Sequence, residues 1–288
     1  MNEIKEITIE DKNYPQLLKK IKNPPKKLYY LGEIFPKENC FAIVGTRRCS
    51  NYGKEIAYKI ASELAQENLT IVSGFAPGID TIAHKAAIEK GKRTIAVLGT
   101  GLDRKYIYPK SNLKLIDKIL ENGGAIISEF EPKTPATKYT FPQRNRIISG
   151  ISLGVLVVEA KIPSGALITA NYAKEQKRKI FAVPGSIFSQ TSKGCHFLIK
   201  NGAKLVESAE DILKELRIKK LKSKEREIKG KTPEENLILE ALKEGALHIE
   251  KIIEKTKLSP SKVLTTLSIL EIEGKIKNLG GQVYAICS

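Results

Sequence analysis

Phe41-Ala42-Ile43-Val44-Gly45-Thr46-Arg47-Arg48 decides the fold. Four apolar residues run without a polar interruption, and a glycine ends them. Such a run suits a strand whose sheet is covered on both faces. The pattern recurs along the chain. Thr70-Ile71-Val72-Ser73 ends at Gly74, Thr94-Ile95-Ala96-Val97-Leu98 at Gly99, and Ala125-Ile126-Ile127 at Ser128-Glu129. Val155-Leu156-Val157-Val158 ends at Glu159-Ala160, and Ile180-Phe181-Ala182-Val183 at Pro184-Gly185. Helical stretches fall between them, at 53–67, 79–90, 112–121 and 166–177. This alternation predicts an α/β domain over residues 41–217, Rossmann-like and doubly wound, with a mostly parallel sheet. Ligands of such sheets bind outside the carboxyl ends of the strands. Those ends here carry Gly, Ser, Thr, Arg and Glu.

Outside that region the chain changes character. Residues 1–40 read as a short N-terminal segment, in which Asn23-Pro24-Pro25 breaks any helix and Leu28-Tyr29-Tyr30-Leu31 suits a strand. Residues 218–231 read as a basic linker. Residues 232–288 predict three helices, over 235–243, 249–255 and 259–273, followed by a hairpin turning at Gly280-Gly281. Ser259 and Pro260 suit the cap and first position of the third helix. Three helices and a hairpin make a winged helix-turn-helix domain, with a small protein-docking module as the alternative.

The 288 residues hold 49 Lys and Arg against 32 Asp and Glu, a net charge of +17. That excess points to an anionic partner. It is unevenly placed: residues 1–213 carry +12, 214–231 carry +6 and 232–288 carry −1. The last figure counts against DNA reading by the C-terminal domain. No apolar run is long enough to span a membrane, and the first residues do not read as a signal peptide. The four cysteines, Cys40, Cys49, Cys195 and Cys287, form no C-x-x-C pair and are expected as reduced thiols in a cytoplasmic protein.

The strand ends supply the candidate site. Gly45 lets a ligand approach the backbone, and Thr46, Arg47 and Arg48 precede a helix start that favours anions. No G-x-G-x-x-G or G-x-x-x-x-G-K-[ST] follows, so no dinucleotide, nucleoside triphosphate or other cofactor is predicted. Ser73, Gly74 and Gly99 form similar turns. Asp80 and His84 are four residues apart on one helix; a polar contact that buttresses the loop is preferred over an acid–base pair. Tyr106 and Tyr108 suit base stacking or packing on the sheet equally. Lys138-Tyr139-Thr140-Phe141-Pro142-Gln143-Arg144-Asn145-Arg146 interleaves cations with aromatics, as single-stranded nucleic acid requires. A solvated basic helix face with a core Phe fits that composition as well. Ser164 and Gly165 open a helix after a strand and form an anion nest. Glu159 is expected to hold Arg144 or Arg146 in an ion pair. His196 and His248 make no metal site with the cysteines.

Taken together, Val44-Gly45-Thr46-Arg47, Ser73-Gly74 with Gly78-Ile79-Asp80, Gly99-Thr100-Gly101-Leu102-Asp103, Phe141-Pro142-Gln143-Arg144-Asn145-Arg146-Ile147-Ile148-Ser149-Gly150, Val158-Glu159-Ala160 and Ala182-Val183-Pro184-Gly185 resemble the DNA-processing protein A (DprA/Smf) family. The matching stretches fall in order from residue 10 to about 217. The resemblance implies a non-enzymatic, homodimeric protein that binds single-stranded DNA, protects incoming strands in natural transformation and helps load RecA recombinase. It implies that Arg47, Lys138 and Phe141 line the DNA pocket, which favours the binding reading of the 138–146 stretch. Arg144 is then a further phosphate contact, and no membrane or small-molecule partner is expected. The family often carries an N-terminal helical domain, for which 40 residues are too few. Two rivals remain. Glu159 and Thr169 suit a nucleotide phosphoribohydrolase-type enzyme, although its Gly-rich P-G-G-x-G-T loop is replaced by Ile162-Pro163-Ser164-Gly165-Ala166. The C-terminal domain suits a winged-helix transcription regulator.

Overall fold

The short apolar runs assemble into one nine-stranded sheet. The computed structural model describes residues 3–219, 230–243 and 245–286, and the chain divides into two compact units at residue 220. In the first unit the elements follow as β1 (Lys5–Thr8), α1 (Gln16–Lys19), β2 (Lys27–Gly32), β3 (Cys40–Val44), α2 (Asn51–Gln66), β4 (Thr70–Ser73), α3 (Ile79–Glu89), β5 (Thr94–Leu98), α4 (Leu113–Glu121) and β6 (Ala125–Ser128). Then come α5 (Thr140–Gly150), β7 (Gly154–Val157), α6 (Gly165–Glu175), β8 (Lys179–Ala182), α7 (Lys193–Lys200), β9 (Lys204–Leu205) and α8 (Ala209–Leu216). The strand order is β1-β2-β6-β5-β4-β3-β7-β8-β9. Every pair from β6 to β9 is parallel.

Burial explains the sequence pattern. All five residues of β3 are buried. Cys40, Ala42 and Val44 pack in one layer with Ile147, Ile148 and Ala166, while Phe41 and Ile43 pack in the other with Ala57, Ile60 and Ile79. A strand with a helical layer on each side has no face on which to place polar residues. The fold is therefore the doubly wound, mostly parallel α/β architecture that the sequence predicts.

The first 40 residues are not a separate segment. β1 pairs antiparallel with β2, and β2 pairs antiparallel with β6, so both extend the sheet. Leu18 and Ile21 lie on α5 where Gly150 leaves room; a Cβ on Gly150 would stand 2.7 Å from a Leu18 methyl. Cys40, Cys49 and Cys195 are free thiols; Cys287 and most of the basic stretch 218–231 lie outside the described residues. Among the described residues no helix is long and apolar enough to cross a membrane.

The second unit contains α9 (Pro233–Leu242), β10 (Leu247–His248), α10 (Ile249–Thr256), α11 (Pro260–Ile272), β11 (Ile276–Asn278) and β12 (Val283–Ile286). Thr232 and Ser259 cap α9 and α11, each followed by a proline at the first helical position, as the sequence signals. The β11–β12 hairpin turns through Gly280, Gly281 and Gln282, all left-handed. β10 adds a third strand against β12, which the sequence did not announce because it spans only two residues. Three helices and a hairpin around Ile238, Ile252 and Leu267 form a winged helix.

Candidate nucleic-acid interface

From β3 the sheet grows in two directions. The chain winds through β4, β5 and β6 on one side, then returns to lay β7, β8 and β9 on the other. The loops after β3 and β7 must therefore diverge, and a cleft opens between them. Its volume is about 730 Å³. The β3 loop contributes Gly45, Thr46, Arg47 and Arg48; the approach to α5 contributes Lys138 and Phe141; the loop before α6 contributes Lys161, Ser164 and Gly165.

The rim is cationic and aromatic. Arg47, Arg48, Lys138 and Lys161 are exposed, and none pairs with a carboxylate among the described residues. The Arg47 guanidinium stands 5.6 Å from the centre of the Phe141 ring, and the Lys138 ammonium 5.0 Å from that of Tyr139. Phe141 is half-buried, and the half-exposed Tyr108 ring lies 5.9 Å from it at a tilt of 59°. Tyr108 thus packs beside the cleft's aromatic ring without itself lining the cleft, a placement its sequence context left open. Across the cleft, the Ser164 hydroxyl accepts from the Leu167 N–H and starts α6, whose positive dipole end meets the cleft. Apart from its chain neighbours and its own helix backbone, no atom lies within 4 Å of the position a Gly165 Cβ would take. Cations for phosphates, rings for base faces and a helix N-terminus suit a chain of phosphate-linked bases.

Beneath the rim the structure corrects several expectations. Arg144 is only 4% exposed. Its guanidinium donates to the carbonyls of Gly74, at 2.6 Å, and Val97, and its Nε donates to Asn145 Oδ1 at 3.2 Å. Although it lines the cleft floor, its Nε and Nη1 are bonded within the protein and its guanidinium lies beside Asp80, the position of a brace and not of an exposed arm. Asn145 is likewise internal, donating to the Gly165 carbonyl. Asp80 faces Arg144 and accepts from the Gly74 and Ala76 N–H groups. Burial raises its pKa to about 6 against the pull of Arg144. His84 makes no hydrogen bond to Asp80; its Nδ1 bonds Thr94 at 2.7 Å and its Nε2 has no partner. Asp80 is thus the loop buttress that the sequence favours, and no acid–base pair forms.

Ser73, Gly74 and Gly99 do not line the cleft. The Ser73 hydroxyl donates to the Ile43 carbonyl. A Cβ on Gly74 would meet Asp80 and Arg144 at 2.7 and 2.8 Å, and one on Gly99 would meet the Phe141 ring at 2.8 Å. These glycines make room for the protein's own side chains, not for a ligand. Gly45 does both, lining the cleft while a Cβ there would stand 2.6 Å from Ile79. Gly99→Ala is expected to cost about 1–3 kcal/mol by overpacking Phe141, checked by thermal denaturation.

Glu159 holds neither Arg144 nor Arg146. Arg146 pairs with Glu129, donating to Oε2 at 2.8 Å. The Glu159 carboxylate accepts instead from the Ser50 N–H (2.9 Å), the Ser50 hydroxyl (2.7 Å) and the Thr191 hydroxyl (2.9 Å). It knots the loops after β3, β7 and β8 together. The nearby Gly53 must lack a Cβ, which would stand 2.3 Å from that carboxylate. Lys161 was missed by sequence reasoning; its signal is a lone cation in a short loop at a strand's carboxyl end.

A family model described as "DNA recombination-mediator protein A" matches residues 5–217. A second, described as "DprA winged helix domain", matches 222–282. The DNA processing protein DprA of Streptococcus pneumoniae is 48% identical over 212 residues, covering 72% of this chain and 73% of that one. The DprA of Bacillus subtilis is 45% identical over 74% of this chain and 71% of its own. Among solved structures, DprA from S. pneumoniae superposes with a TM-score of 0.69 at 45% identity, covering 74% of each chain. DNA processing protein A from Helicobacter pylori, described for its single-stranded DNA binding mode, gives 0.66 at 32% identity over 75% of this chain and 98% of that one.

Proposed function

The chain belongs to the DNA recombination-mediator protein A family, and from that premise we propose that it binds single-stranded DNA in the cleft between β3 and β7. The observation that carries the reading is four exposed, carboxylate-free cations around a half-buried aromatic ring at the switch point of the sheet. Arg47, Arg48, Lys138 and Lys161 hold phosphates, Phe141 stacks a base with Tyr108 beside it, and the α6 start at Ser164 and Gly165 takes a further phosphate. Arg144, Asn145, Ser73, Gly74 and Gly99 hold that surface in shape. The solved H. pylori relative, with its single-stranded DNA binding mode, supports the assignment.

In the cell the protein is a cytoplasmic homodimer that covers incoming single strands and helps place RecA recombinase on them, as in natural transformation or recombination. It acts by binding, without catalysis. The tying of Glu159 by three hydrogen bonds supports this over the phosphoribohydrolase reading, because such a carboxylate is a brace. The winged helix is a weak candidate for a duplex reader. The outward residues of α11 include Leu264, Thr265, Ser268, Ile269 and Ile272, and its Lys262 is paired with Glu234.

The test is a titration of the full chain with oligo-dT and with duplex DNA of equal length at two salt concentrations. Oligo-dT binding should fall steeply with salt, because phosphate contacts release counterions. Arg47→Glu with Lys138→Glu should weaken it by at least about a hundredfold, since each charge-assisted hydrogen bond is worth about 1.5–3 kcal/mol. Normal binding by that double variant would refute the site. Release of free base from nucleoside monophosphates would refute the absence of catalysis.

A further inference from the structure

The loop between β8 and α7 plays no part in the cleft. Yet Phe188 is 90% exposed and Ile187 75%, with Ile162 of the neighbouring loop at 55%. The loop is firmly built. The Phe188 N–H donates to the Ser186 hydroxyl at 3.3 Å and the Ser189 N–H to the Ser186 carbonyl at 3.0 Å. The Ala160 N–H donates to the Thr191 carbonyl at 2.7 Å, Thr191 bonds Glu159, and the Tyr52 hydroxyl reaches the Pro184 carbonyl at 2.9 Å. A fixed loop that holds an aromatic ring almost wholly in water presents it to a ligand.

Place and charge identify that ligand. β8 lies beside β7, which lies beside β3, and neighbouring strands stand about 4.8 Å apart. The ring is therefore one strand further along the same carboxyl-end rim, past Lys161. Across residues 45–53, 158–165 and 183–194 the exposed charges are Arg47, Arg48, Lys161 and Lys193, all cationic; the one carboxylate, Glu159, is buried. We propose that Phe188 is a second base-stacking platform, onto which the strand passes from the cleft by way of Lys161. This rests on the reading of the cleft as a single-strand site. A phosphate backbone complements the cations, and a base face needs only one exposed ring, with no sequence preference.

A ladder of oligo-dT from about 4 to about 16 nucleotides, the span of such grooves, tests it on the full chain. In the native protein, affinity should keep rising once the cleft is filled. In Phe188→Ala the longest oligonucleotides should lose about five- to 150-fold, the equivalent of stacking one base, while the shortest bind as before. Phe188→Tyr should retain the gain. A native ladder in Phe188→Ala overturns the proposal and leaves the loop to a protein partner; an equal loss at every length overturns it too. Failure of the cleft reading looks different: the native protein then binds no oligonucleotide, or the Arg47→Glu, Lys138→Glu variant binds every length normally.

Discussion

Arg144→Met should destabilise the sheet-bearing unit by about 3–5 kcal/mol, the cost of removing one member of a buried charge pair. For a unit of this size that is a fall of roughly 6–20 °C in melting temperature. The residue sits in the middle of the most basic motif in the chain, yet its guanidinium is buried against the carbonyls of Gly74 and Val97 and beside Asp80. Burial lowers the Arg144 pKa to about 10 and raises that of Asp80 to about 6, and their attraction opposes both shifts. Methionine fills the space but strands the carboxylate and two carbonyls. Adding Asp80→Asn removes the stranded charge, so the double variant should lose less than the two single losses added together. Thermal and urea denaturation read this directly. An Arg144→Met protein as stable as the native one, but deficient in oligo-dT binding, would return Arg144 to the role of phosphate contact.

That residue also shows what the sequence could and could not convey. The parallel strands were legible because two helical layers confine polar residues to the ends of β3 to β8, leaving runs such as Phe41-Ala42-Ile43-Val44. The inward turn of Arg144 was legible in principle. It lies three residues after Phe141 and four before Ile148, on the face of α5 that meets the sheet. Composition alone hides that phase, since Arg47 and Arg144 count equally as cations. The glycines were visible but their purpose was not. A residue without a side chain marks a ligand's approach or a neighbour's packing with the same letter, and the neighbours of Gly74 and Gly99 come from α3 and α5, at Asp80, Arg144 and Phe141. β1 and β2 were obscure for a similar reason: β2 pairs with β6, about a hundred residues later.

Asp80→Asn should also make the protein acid-sensitive, and His84 is the cause. The Thr94 hydroxyl donates to the Ile71 carbonyl at 2.6 Å, so it receives its 2.7 Å bond from His84 Nδ1. The neutral ring thus carries its proton on Nδ1, and Nε2 is buried without a partner. Protonating Nε2 would place a charge in that dry site, with Arg144 adding repulsion, and the His84 pKa falls to about 3. A depressed histidine contributes stability that is complete above the unfolded value of about 6.5 and is lost as pH falls towards 3. At about 1.36 kcal/mol per unit, that amounts to roughly 4–5 kcal/mol. Asp80 works in the opposite sense. Its raised pKa, about 6, makes the folded state gain stability as pH falls from 6 towards the unfolded value of about 3.9, by roughly 3 kcal/mol. Between pH 6 and 4 the two contributions nearly cancel in the native protein. Asp80→Asn exposes the loss due to His84, and His84→Gln exposes the gain due to Asp80, when unfolding free energy is compared with the native protein across pH 4–7. Parallel pH profiles for all three proteins would mean that neither group titrates differently in the folded and unfolded chains.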